Sequence, residues 1–105
     1  MTRPTFVTPF ASELLTFGNS TPVGCTAATY AANGTIACWA EGVVEGSVMR
    51  LKLVGTVTSA EGTPIQVGQS VLLKNADEIR LFRGISQTST NSTIFMHYWK
   101  HAGGQ

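Results

Sequence analysis

Apolar residues recur at every second position over several stretches of this chain, the spacing that gives a β-strand one buried and one wet face. The clearest run is Met49, Leu51, Leu53 and Val57, with Arg50, Lys52, Thr56 and Thr58 between them, and it predicts a half-buried strand. Ser59-Ala60-Glu61-Gly62-Thr63-Pro64 then reads as a turn, followed by a short strand at Ile65 to Val67. Beyond a Gly68-Gln69 corner, Val71 and Leu73 alternate with Leu72 and Lys74. Asn75-Ala76-Asp77 predicts another turn, and Ile79 and Leu81 share one face of a predicted strand from Glu78 to Arg83. Upstream, Asn33-Gly34 is a two-residue hairpin signal, so Thr26 to Ala31 and Thr35 to Ala40 are predicted to pair. Glu13 to Phe17 fits a strand or a single helical turn.

The last strand breaks the rule. Along Ser92 to Trp99, Ile94, Met96 and Tyr98 point one way, while Phe95, His97 and Trp99 point the other. Both faces are apolar, so both need cover. Phe82 and Val54 also fall on the side opposite the main alternation of their predicted strands. If these residues converge with Phe95 and Trp99, they form a patch that monomers rarely expose and a symmetric oligomer buries. The predicted oligomer interface is therefore Phe82, Phe95, His97 and Trp99.

Short strands with turns every eight to twelve residues, and no convincing amphipathic helix, predict an all-β fold. The expected form is a small antiparallel β-sandwich or β-barrel with an extended N-terminal arm. Residues 1–12, with Pro4 and Pro9, form that arm, which carries Arg3, Phe6 and Phe10 and includes at most a short strand at Phe6 to Thr8. Residues 13–100 are one β domain, since a chain of 105 residues has room for a single core. Residues 101–105 read as a flexible or partner-bound tail.

Composition narrows the partners. Charged residues make up 12% of the chain, about half the usual share, and Thr, Ser, Asn, Gln and Gly take their place. Such a surface can lie against protein without stripping water from many ions. A net charge of +1 with scattered Lys and Arg argues against nucleic acid, whose phosphates need clustered cations. No apolar run is long enough to span a bilayer as a helix. The first ten residues do not read as a signal peptide, which implies synthesis in a cytoplasm.

Candidate chemistry is thin. Cys25 and Cys38 are the only cysteines, and the predicted hairpin would set Cys38 against Thr29 and Cys25 against Gly42. Two free thiols are expected, and two cysteines are too few for a structural zinc site. His97 and His101 have zinc-helix spacing, but on a strand they stand roughly 13 Å apart and no third ligand is evident. Glu13, Glu41, Glu45, Glu61, Asp77 and Glu78 form no evident acid–base pair, and there is no nucleophile elbow or phosphate loop. No catalytic residue, cofactor or metal is predicted. Tyr30, Trp39, Tyr98 and Trp99 are the rings available for a sugar-stacking platform; core and interface anchoring is the alternative for all four.

From about Ala37 onward the chain resembles the small β-rich virion proteins of tailed bacteriophages, the head-decoration (cement) and spike-base types. The likeness lies in a succession: Cys38-Trp39-Ala40, a Gly-punctuated connection, then Gly68-Gln69-Ser70-Val71-Leu72-Leu73. Ile79-Arg80-Leu81-Phe82-Arg83-Gly84 follows, then a Ser/Thr-rich loop from Ser86 to Ser92 and a closing Tyr98-Trp99-Lys100. The resemblance implies a non-enzymatic trimer or other oligomer placed on a capsid or tail, stabilising the shell or mounting a fibre. The leading expectation is a decoration protein, a homotrimer favoured, that binds the major capsid protein and stabilises the shell. On that reading the arm residues Arg3, Phe6 and Phe10 contact the capsid, and the protein resides in the virion. A spike-base or fibre-anchoring protein, or a carbohydrate-binding module on host glycans, is the alternative.

Overall fold

The structure, a computed structural model, describes residues 7–32 and 34–101. In chain order the elements are β1 (Val7–Phe17), α1 (Ala27–Tyr30), β2 (Trp39–Glu45), β3 (Met49–Lys52), β4 (Thr63–Ile65), β5 (Ser70–Leu73), α2 (Ala76–Leu81), β6 (Arg83–Ser86) and β7 (Ser92–His101). They build two antiparallel sheets, one ordered β1-β7-β2-β5 and the other β4-β3-β6. β1 and β5 remain unjoined at the edges of the larger sheet. The fold is all-β and sandwich-like, not a closed barrel.

The alternation of β7 explains its central place. Ile94, Met96 and Tyr98 are wholly buried and pack with Leu15 and Phe17 of β1, Ala40 and Val44 of β2, and Val71 and Leu73 of β5. Met49 brings the second sheet into the same core. β1 and β7 stay in register over their length except at Phe10, where a bulge separates the Pro9–Trp99 and Ala11–Tyr98 pairs. Such a bulge bends and twists the strand. At the other end, the Ser92 hydroxyl donates to the Ser47 carbonyl at 2.8 Å and fixes the start of β7.

Several expectations change. His101, assigned to the tail, is the last residue of β7 and pairs with Val7, while residues 102–105 lie outside the described residues. Thr63-Pro64, read as a turn, belong to β4, which ends at Ile65 instead of reaching Val67. Residues 7–12, assigned to an arm, are extended but form the first half of β1 against β7; residues 1–6 lie outside the described residues. The predicted hairpin around Asn33-Gly34 does not form. Ala27–Tyr30 coils into the single turn of α1 instead, and the Ala37 N–H returns to the Tyr30 carbonyl at 2.8 Å. The two alanines favour a helix, and no ladder partner competes for them. Asn33 itself is outside the described residues, while Gly34 has the positive φ of 77° that turn chemistry favours.

Glu78 to Arg83, predicted as a strand, is mostly α2. Asn75 caps it by accepting the Glu78 N–H at 2.8 Å, and the Glu78 carboxylate accepts the Lys74 N–H at 2.8 Å. The Asn75 cap, with Glu78 also holding the Lys74 N–H just before it, makes Asn75-Ala76-Asp77-Glu78 a helix start rather than a turn between strands. Finally, the long alternating run ends as a strand at Lys52. The chain bends through Leu53 to Gly55, leaving Val54 exposed at the tip, and Val57 re-enters the interior.

Candidate functional site

The outer face of the larger sheet, away from the core, carries the most unusual surface. Leu14 on β1 pairs with Phe95 on β7. The register that sets Glu41 against His97 and Val44 against Ile94 brings Val43 level with Phe95. Leu14, Phe95 and Val43 thus form one apolar stripe across three strands, and they are 63%, 53% and 45% exposed. These side chains are where they are because strands alternate. Glu13-Leu14-Leu15 and Gly42-Val43-Val44 each carry apolar neighbours, and one of any such pair must face outward.

Next to the stripe runs an aromatic row along β7. The rings of Phe95 and His97 meet edge-on with centroids 4.9 Å apart, and His97 lies 6.2 Å from Trp99. Trp99 pairs with Trp39 of β2, and both are almost fully buried. The Trp39 indole donates to Glu41 Oε1 at 2.9 Å, so the carboxylate is drawn along its own strand. Glu41, Val43, Glu45, Ser70, Phe95 and His97 line a shallow cleft of about 250 Å³. The cleft is open to water on one side. The face can pack against a complementary surface.

The residues predicted as an interface divide. Phe95, His97 and Trp99 share this face as expected, although Trp99 is only 8% exposed. Phe82 does not belong with them. It is wholly buried in the core and meets Phe17 edge-on at 6.1 Å. Its expected orientation rested on a strand at Glu78 to Arg83; the helix α2 ends at Leu81 and turns Phe82 inward. Val54 stands on the other sheet's connection. Phe10, assigned to the arm, sits at the β1 bulge and packs partly against the core; Arg3 and Phe6 lie outside the described residues. Leu14 and Val43 are the site residues missed, and the apolar doublets containing them were the available signal.

The four rings considered for a sugar platform do not share an exposed surface. Tyr98 is buried, Tyr30 packs beside it with centroids 6.2 Å apart, and the two tryptophans are nearly covered.

A second constellation lies on the inner face. The Tyr98 phenol donates to Glu13 Oε2 at 2.6 Å, and the Thr26 N–H donates to the same oxygen at 2.9 Å. Burial, chiefly, pushes the neighbouring Cys25 thiol up to about 11. Burial also raises the Tyr98 phenol well above its ordinary range, helped by the Cys25 thiol and the Glu13 carboxylate. A thiol held neutral in this way is a poor nucleophile, and the hydrogen bonds to Glu13 tie Tyr98 and Thr26 to β1. Cys38 is also free, and burial raises its thiol. Among the described residues no group of three His, Cys, Asp or Glu stands together to hold a metal, and no helix is long and apolar enough to cross a membrane.

Comparison with protein-family models, with curated proteins and with solved structures found no match.

Proposed function

We propose that this chain is a non-enzymatic structural subunit that works by assembly, a virion decoration (cement) protein of a tailed bacteriophage. The observation that carries the assembly part is the exposed stripe of Leu14, Phe95 and Val43 across three strands of one sheet face. A contiguous apolar patch beside nearly buried tryptophans is the kind of surface that protein covers. Neighbouring copies of the chain cover it, a trimer being the favoured assembly. The major capsid protein is the second partner, and the assembled ring stiffens the shell.

The virion assignment is supported by the resemblance of the second half of the chain and by the low charge, which suits a subunit enclosed by protein. Particles purified from a lysate expressing the gene should contain the chain in many copies, bound to heads. A chain recovered only free in the lysate contradicts the assignment; one found only on tails replaces it with a spike-base role. Phe95→Glu tests the stripe by itself. The substitution should dissociate the oligomer with strand content unchanged, and an oligomer that survives it contradicts covering of the stripe.

A further inference from the structure

Strand polarity identifies which backbone groups of β1 are free. The Val44 N–H donates to the Gln69 carbonyl at 3.0 Å, beside β5. Bonding direction alternates along a strand, so the even-numbered residues of β2 bond toward β5 and the odd ones toward β7. Odd residues of β7 therefore face β2, which the Cys38 N–H donated to the Trp99 carbonyl at 2.9 Å bears out. Even residues of β7, Ile94, Met96 and Tyr98, turn to β1, where they meet Leu15, Glu13 and Ala11. That leaves the N–H and C=O groups of Ser12, Leu14 and Thr16 directed away from β7.

None of these three residues makes a backbone hydrogen bond to another described residue on that side. All three are exposed. The window has defined ends. Toward the C-terminus the Gly18 carbonyl is taken by the Ser86 N–H at 2.8 Å. Toward the N-terminus, Pro9 and the bulge at Phe10 interrupt the strand, as proteins do where an edge must not pair. Between these ends the register with β7 is unbroken from Ala11 to Phe17, and the side chains of Ser12, Leu14 and Thr16 are uncharged.

We infer that β1 pairs with β1 of a second copy, antiparallel about a two-fold axis at Leu14, joining two four-stranded sheets into one of eight. Leu14 then faces Leu14 of the partner subunit, and Ser12 faces Thr16 of the partner subunit. Each such pair exchanges two backbone hydrogen bonds, and this register uses every free group in the window. It also keeps outer face against outer face, because residues of equal parity are paired. The occupant is a second copy because the stripe Val43–Phe95–Leu14 ends at this edge. The two-fold axis makes the stripe continuous with its own repeat, so edge and stripe are completed by one operation. An isologous contact of this kind gives a dimer, or a hexamer where three-copy rings also form.

The inference rests on the self-association in the proposed function, not on how the stripe is covered. Ser12→Pro tests it, since proline removes an outward N–H and spares the bonds to β7. The mass in solution should fall to half or less of the wild-type value, with circular dichroism unchanged. Leu14→Cys gives a second readout that does not depend on that variant folding. Under mild oxidation it should form a covalent dimer, whereas Ser12→Cys, roughly 13 Å from its own copy in this register, should not. The wild-type chain controls for Cys25 and Cys38. A Ser12→Pro chain that folds and keeps the wild-type mass overturns the edge pairing, as does Leu14→Cys that fails to cross-link. If Phe95→Glu dissociates the oligomer and Ser12→Pro does not, the stripe is the interface and the edge is not. The reverse result keeps the edge and removes the stripe, and a monomeric wild type removes both.

Discussion

The Tyr98 phenol donates a 2.6 Å hydrogen bond to Glu13, linking a wholly buried side chain of β7 to the one charged residue of β1. Glu13 also holds the Thr26 N–H, so one carboxylate fixes β7, β1 and the segment entering α1. A buried phenol needs a partner, and a carboxylate half withdrawn from water needs donors; each answers the other.

Tyr98→Phe should therefore destabilise the fold by about 1–3 kcal/mol, the usual loss when a charge-assisted hydrogen bond is cut and its acceptor stays partly buried. Urea denaturation measures this. A change within a few tenths of a kcal/mol would mean that water replaces the phenol without cost.

Stability should fall in alkali. The Cys25 thiol titrates near 9.0 when unperturbed and at about 11 in the fold, burial being the main cause. Between those values the unfolded chain has lost a proton that the folded chain keeps. The stabilisation is thus intact below pH 9 and is lost as pH rises through 11. The thiol contributes at most about 2–3 kcal/mol. Tyr98, raised in the same direction, adds to the fall. Urea midpoints followed with pH should drop above 9, and Cys25→Ser should flatten the drop; an identical profile in that variant contradicts the account.

Gly42 lies buried on β2 beside β7, the hydrogen-bonded neighbour of that strand in the sheet. A Cβ there would stand 2.4 Å from Ile94 Cγ2 and 2.9 Å from the Phe95 carbonyl oxygen, and the carbonyl belongs to a central strand that cannot move aside. Gly42→Ala should cost about 1–3 kcal/mol, as overpacking does. Thermal melting reads the effect, and an unchanged melting temperature would show that the two strands separate freely.

Asn75→Ala removes the side chain that caps α2. The expected loss is about 1 kcal/mol, again by denaturation, with the mass in solution unchanged. A shift in mass would place α2 in the assembly contact.

The sequence carried the two-residue period of β7 plainly enough to give its buried face, Ile94, Met96 and Tyr98, and its outer row, Phe95, His97 and Trp99. An all-β sandwich or barrel followed from the density of such runs, and the two separate sheets decide for the sandwich-like form. The helices were hidden because both are short. α2 spans only Ala76–Leu81, and its Ile79 and Leu81 fit a strand pattern equally well until the Asn75–Glu78 capping is weighed. Misreading that segment also misplaced Phe82. The stripe depends on pairing between strands distant in sequence. No local pattern states that Leu14 stands beside Phe95, and only the doublets Leu14-Leu15 and Val43-Val44 hint that each must expose one member.

The central claim is that this chain works as an assembly, and sedimentation equilibrium of the wild-type protein across a dilution series tests it most directly. The expected mass at micromolar concentration is a whole multiple, two or more, of 11.2 kDa. A single species of 11.2 kDa at every concentration would contradict it.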